Sequence, residues 1–214
     1  MIATLSDIES MDKSFRTNLI NHLSGVKAVH LMGTFDEQHQ SNLAIFSNVI
    51  HIGANPAMMG VLFRPVGADS HSYKNIQANK RFTLNQIPLS MVQQAHQTSA
   101  RYPLGTSEFE ACGIEEERIS EFDGPFVKNS LVKIGLTWEE EHLIKSNQTI
   151  LIVGKIQYIS IQDSILLPNG HIDLDVAQSI SAGGLDTYYQ VKKLAQFPYA
   201  KVLADASHEP RRNS

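Results

Sequence analysis

The sequence predicts a mainly β fold with α additions, built as one antiparallel barrel. Three observations carry that expectation. Apolar strand patterns recur at 28–35, 58–63, 82–87, 131–138 and 149–161. Helical spacing is confined to short pieces between them. Those pieces do not alternate regularly with the strands, as they would around a parallel doubly wound sheet. They read instead as insertions at the corners of an antiparallel sheet.

The elements follow in chain order. Met11, Phe15, Leu19, Ile20 and Leu23 recur at helical spacing and predict a helix over Asp12 to His22, stopped by Gly25. Ala28 to Phe35 is a strand, and Asp36 to Ser41 a polar turn. From Leu43 a dense apolar run (Leu43, Ala44, Ile45, Phe46, Val49, Ile50, Ile52) is broken only by Ser47, Asn48 and His51, with Asn42 just before it. Gly53 and Asn55-Pro56 end it. Met58 to Phe63 is the next strand, closed by Arg64-Pro65. A helix starts at Ser72 and covers Tyr73 to Asn79, and a strand follows from Phe82 to Ile87. Leu89 to Ser99 and Glu108 to Gly113 are short helical pieces. Leu131 to Trp138 and Thr149 to Ile161 are long strands. The unbroken Ile150, Leu151, Ile152 and Val153 suit a strand buried on both faces. Glu139 to Glu141 reads as a solvated turn, and Asp186 to Leu194 as a last helix. Residues 1–205 form a single domain in this reading, and the polar tail Ala206 to Ser214 is expected to be disordered.

Composition narrows the function classes. A chain of 214 residues can bury a full core without disulfides or metals. Its 18 Lys+Arg against 22 Asp+Glu give a net charge of -4, which argues against a phosphate-neutralising nucleic-acid surface. Cys112 is the single cysteine, so no internal disulfide or CxxC pair exists. That usage fits a reducing compartment, and a cytoplasmic location is the expectation. Met1 to Lys13 lacks the basic and apolar regions of a secretory signal, and no apolar run approaches the roughly 20 residues needed to cross a bilayer. The sequon Asn147-Gln148-Thr149 then reads as chance.

Self-contained catalytic fingerprints are missing. There is no GxGxxG after a strand, no GxxxxGK[ST], no HExxH and no GxSxG elbow. Asp173 and Asp175 alternate as in a calcium loop, but the required Gly and Glu do not follow, so they read as solvated acids before a helix. The nine histidines are scattered without ligand spacing. Chemistry, if any, is then carried by a bound cofactor.

Two stretches suit such a cofactor. Arg64 stands at a strand end, followed by the loop Gly67 to His71 and a helix starting near Ser72. A helix start exposes free N–H groups and a partial positive charge, so Arg64, His71 and the Ser72 hydroxyl could complete a phosphate pocket. The same residues also suit a capped helix beside a surface arginine. Asn42 to His51 could line the edge of a flat heterocycle, with Ile45 and Phe46 over one face. It equally suits a buried strand with polar residues in local turns.

At these residues the sequence resembles the flavin reductase family with the FMN-binding split-barrel fold, the flavoredoxin-like proteins. The resemblance runs through Asn42 to Pro65, His71 to Ile76, Arg81 to Ile87, Ala95 to Gly113, Pro125 to Ser130 and Gly184 to Val202. It implies an antiparallel split β-barrel that forms a homodimer and carries FMN near the subunit interface. Asn42, Leu43, Ala44, Ile45, Phe46, Ser47 and Asn48 would pass along the isoalloxazine ring. Arg64, His71 and Ser72 would hold the phosphate. Asn85 would lie beside the ribityl chain. His96 and Ser99 would approach the cofactor or the partner subunit, and Tyr199 could reach it from either. Ser72 stands where many relatives have Thr, and the hydroxyl is kept. No nicotinamide motif comes with the resemblance.

The activity this implies is an FMN-dependent oxidoreductase. Hydride from NAD(P)H would pass to bound FMN and onward to a flavin, a ferric chelate or a small redox protein. The alternative is an FMN-binding electron carrier without its own NAD(P)H oxidase activity. Two tempting residues read as structural. Cys112 has no basic neighbour in sequence, Trp138 suits packing, and no side-chain base is required for hydride transfer.

Overall fold

The computed structural model describes residues 1–67 and 70–200. Two helices open the chain, α1 (Leu5–Ser10) and α2 (Lys13–His22). Thr4 and Asp7 cap α1 reciprocally, each side chain taking the other's backbone N–H. The Asp12 carboxylate accepts from Ser14 N and Phe15 N at 2.9 and 3.0 Å, so α2 begins where the periodicity places it. Strands β1 (Lys27–Ala28), β2 (His30–Phe35), β3 (Ser41–Phe46), β4 (Val49–Ala54) and β5 (Ala57–Phe63) follow. Then come α3 (His71–Asn79), β6 (Arg81–Gln86), α4 (Val92–Gln97), α5 (Glu108–Ala111), β7 (Glu116–Glu117) and β8 (Phe126–Val127). The long hairpin of β9 (Val132–Ile144) and β10 (Thr149–Ile161) precedes a final pair, β11 (Ile180–Gly183) and β12 (Thr187–Gln190).

Seven strands make one sheet in the order β3-β2-β6-β9-β10-β5-β4, every pair antiparallel. β3 and β4 sit at opposite edges of that order, yet only residues 47 and 48 separate them along the chain. So short a link cannot cross a flat seven-stranded sheet at about 4.8 Å per strand. The sheet therefore curls until its two edges approach, and the Ser47–Asn48 bend joins the rims.

Alternation along the strands sorts side chains into two clusters. On β2, Met32 packs with Val61, Phe82, Leu84, Leu136 and Ile152. Its neighbour Leu31 packs with Leu43, Ile87, Met91, Ala95 and Phe109. The second set roots α4 and α5 to the sheet. Burying each such side chain stabilises by about 1.5–3 kcal/mol relative to exposure. Close approach also fixes composition, because a Cβ on Gly154 would lie 2.7 Å from the Phe82 ring.

Several expectations are corrected. The apolar run after Leu43 is two strands, not one, split at Ser47–Asn48. Glu139 to Glu141 is not a turn. β9 continues through it to Ile144, because β10 supplies a partner along its length, and residues 139–144 at the hairpin's far end are all exposed. Asp186 to Leu194 is not a helix. Gly184, at φ 62, turns the chain into β12, where Tyr188 and Tyr189 pair with β11. Asp173 starts a turn rather than preceding a helix, its carboxylate accepting from Asp175 N and Val176 N at 3.1 Å.

Trp138 packs against the Met32 cluster, with the Lys80 ammonium 3.8 Å above its ring centroid. Cys112 is half-buried, its sulfur 3.5 Å from the Tyr102 hydroxyl. The tail Ala206 to Ser214 lies outside the described residues. Among those residues, no helix is long and apolar enough to cross a membrane.

Candidate functional site

The N-terminus of α3 is left open by the local chemistry. Ser70 stands at the N-cap position but makes no side-chain cap bond. Its hydroxyl instead accepts from Gly67 N at 3.0 Å. The backbone N–H groups at 71–73 have no helical acceptor, and the helix dipole adds partial positive charge there. His71, Ser72 and Tyr73 all line one pocket of about 400 Å³, a volume within the range of small-molecule sites.

Arg64 enters the same pocket from the end of β5. Its side chain is exposed and pairs with no carboxylate among the described residues. Asn42, Ala44, Ile45 and Phe46 of β3, with Ser47 and Asn48 of the bend, form the adjoining wall. The Asn48 carbonyl accepts from Leu62 N at 3.0 Å, which ties this bend to β5. Residues 98–102, after α4, close the far side and include Ser99, Arg101 and Tyr102. One end of the pocket thus offers donors and positive charge. The other offers backbone and apolar side chains.

Of the residues expected from sequence, Asn42, Ala44, Ile45, Phe46, Ser47, Asn48, Arg64, His71, Ser72 and Ser99 are brought together here. Four others lie outside the pocket lining. Leu43 points its side chain into the core, fully buried, because strand alternation turns it away from Asn42 and Ala44. Asn85 is fully buried, donating to Leu31 O at 3.1 Å and Thr83 Oγ1 at 2.9 Å and accepting from Val127 N at 3.0 Å. That amide fastens β6 to β2 and β8. His96 Nδ1 lies 2.9 Å from the Tyr188 hydroxyl. Tyr199 is 94% exposed and lines no part of the pocket.

Glu108 is a buried pocket residue that sequence reasoning missed, as it did Tyr73, Arg101 and Tyr102. It opens α5, is buried, and accepts from Leu43 N at 2.9 Å. Burial raises its pKa above the ordinary carboxylate range. The Leu43 N–H and the facing His71 oppose that shift. The native state therefore holds this proton to higher pH than the unfolded chain does. Stability from the group is present in acid and is lost as pH rises through the raised value. Glu108→Gln keeps an acceptor for Leu43 N and carries no charge. Its melting temperature is expected to gain on the wild type between pH 4 and pH 8. Parallel melting curves across that range would show an ordinary carboxyl.

The fold is thus a curled antiparallel sheet whose pocket has an open helix start and the Arg64 guanidinium at one end. The sequence profile of the Flavin reductase like domain matches residues 25–172. The chain belongs to that family, with its split-barrel fold and flavin-linked oxidoreductase chemistry. A flavin-reductase-type split-barrel protein from Shewanella frigidimarina NCIMB 400 is 40% identical, with a TM-score of 0.90, over 94% of this chain and 100% of that one. Nitrilotriacetate monooxygenase component B from Bacillus cereus is 17% identical, with a TM-score of 0.80, over 92% of this chain and 98% of that one. Flavoredoxin of Desulfovibrio vulgaris is 16% identical, with a TM-score of 0.74, over 94% of this chain and 98% of that one. The last two likenesses are of fold.

Proposed function

We propose that the protein is an FMN-dependent oxidoreductase of the flavin reductase type. In this reading NAD(P)H supplies hydride, and the electrons pass to a free flavin, a ferric chelate or a small redox protein. The observation that carries the reading is the uncapped start of α3 beside Arg64, at one end of a pocket walled by β3. Residues of this kind fit a phosphate monoester at that end and a flat ring along Asn42–Asn48.

Bound FMN would supply two-electron chemistry that no side chain here offers. The chain's own residues have the remaining tasks. Arg64, His71, Ser72 and the N–H groups at 71–73 bind the dianion. Ala44 to Phe46 and the Ser47–Asn48 bend orient the ring edge and shield it from water. Ser99 and Tyr102 bound the side from which a second substrate would enter.

A homodimer belongs to the same reading. Phe15 and Ile20 on α2 are 52% and 45% exposed, and Ile50 and Ile52 on β4 are 47% and 39% exposed. Such apolar faces on a single chain favour a partner of the same kind.

The test begins with purified protein. A yellow preparation is expected, whose released flavin is FMN. Anaerobic addition of NADH or NADPH should then bleach it rapidly. Bound FMN that stays oxidised would leave the electron carrier as the better description. Colourless protein that takes up no FMN would sink both.

A further inference from the structure

We infer that Asn42 is a positioning residue whose side-chain amide presets the Ser72 hydroxyl as a donor toward the pocket. This rests on the FMN reading above and names how the phosphate end is prepared.

Asn42 and Ser72 are each 7% exposed, and both line the pocket. Asn42 Nδ2 donates to Ser72 Oγ at 3.0 Å, across 30 positions of sequence. The same amide reaches Thr34 Oγ1 at 3.3 Å, and Asn75 Nδ2 donates to that oxygen at 3.1 Å. Thr34 is fully buried. The amide is thus held between β2, β3 and α3.

A serine hydroxyl has one proton and two lone pairs, and left alone it can turn either way. An amide NH₂ can only donate, so it fills a lone pair of Ser72 Oγ. The proton must then find an acceptor elsewhere. Among the described residues no group accepts it. The pocket is where an acceptor would come from. A phosphate dianion offers acceptors only, so a hydroxyl with its donor direction fixed suits it better than a free rotor. Asn42 need not touch the ligand to do this.

The test compares FMN with riboflavin, which lacks the phosphate, by titration against flavin fluorescence. Ser72→Ala should weaken FMN binding by about 10–100-fold, the scale of a hydrogen bond to a charged group. Ser72→Thr should restore most of it. Asn42→Ala should weaken FMN by about 3–10-fold, since the hydroxyl then turns freely. Asn42→Asp is isosteric but accepts, so it captures the Ser72 proton and adds negative charge. Its loss should exceed that of Asn42→Ala by roughly tenfold. Riboflavin affinity should stay within about twofold in the Ser72 variants and should fall by less than FMN affinity in the Asn42 variants. In a Ser72→Ala background, Asn42→Ala should cost nothing further.

Equal losses in Asn42→Ala and Asn42→Asp would overturn the inference. So would parallel losses for FMN and riboflavin, or an Asn42→Ala loss that persists without the Ser72 hydroxyl. Melting curves check each variant's fold. If Asn42→Ala does not fold, the isosteric aspartate and the two Ser72 variants decide the matter. Wild-type protein that binds neither flavin overturns the FMN reading together with this one. Wild-type binding that depends on Arg64 but not on Asn42 overturns only the positioning role.

Discussion

Gly33→Val is expected to destabilise the protein by about 3 kcal/mol, the upper part of the usual overpacking range. At this chain length that lowers the melting temperature by roughly 6–12 °C. Gly33 sits in β2, paired with Leu43 on one side and Thr83 on the other. A Cβ there would lie 2.2 Å from the Pro125 carbonyl oxygen and 2.6 Å from Thr83 Oγ1. Neither neighbour can retreat easily. One is backbone, and the Thr83 hydroxyl donates to that same carbonyl at 2.6 Å. A valine must part these groups or push β2 away from the segment before β8. Because β3 pairs with β2 through Leu43, the pocket wall would shift too. Urea and thermal unfolding measure the loss directly. A midpoint within 1–2 °C of wild type would mean that the close approach is not a constraint.

Arg64→Ala is expected to weaken FMN binding by about 10–150-fold, corresponding to about 1.5–3 kcal/mol. The guanidinium lines one end of the pocket and has no carboxylate partner among the described residues. A carboxylate pair would have to be broken before a ligand could bind, and Arg64 forms none among the described residues. Arg64→Lys keeps the charge but loses the planar fork, so an intermediate loss is expected. Riboflavin affinity should change little, since that ligand brings no phosphate. Rising salt should narrow the gap between wild type and variant, because Arg64 is exposed to screening. Unchanged FMN affinity in Arg64→Ala would refute the phosphate assignment.

The strands were largely legible because their cause is local. Ile150 to Val153 and Phe82 to Ile87 carry β-branched and aromatic residues at strand spacing. The closure of the sheet was not, since it depends on which strands pair at the edges. Nothing between Phe46 and Val49 announces that β3 and β4 belong to opposite rims. The last hairpin was misread because Thr187 to Gln190 is short and polar, and the ladder to β11 decides its form. Glu139 to Glu141 looked like a turn because charge usually marks one. The exposed far end of a long hairpin tolerates it.

The site divides the same way. Arg64, His71 and Ser72 are neighbours in sequence around one strand-to-helix corner, so their convergence could be read directly. Glu108 could not, because an acid at a helix start ordinarily complements the dipole in solvent. Its burial comes from β3, 65 positions earlier. The family resemblance alone implies Asn85 beside the ligand. Its amide is taken up by three partners on β2, β6 and β8 that only the fold assembles.

The hydroxyl of Ser70, turned toward Gly67, has a thermal consequence. A missing cap typically costs a helix about 1 kcal/mol, and no side-chain cap bond offsets that at the start of α3. An anion seated on its first turn would finish the helix from outside. Resistance to heat would then follow the concentration of that anion, rising logarithmically once the site is saturated.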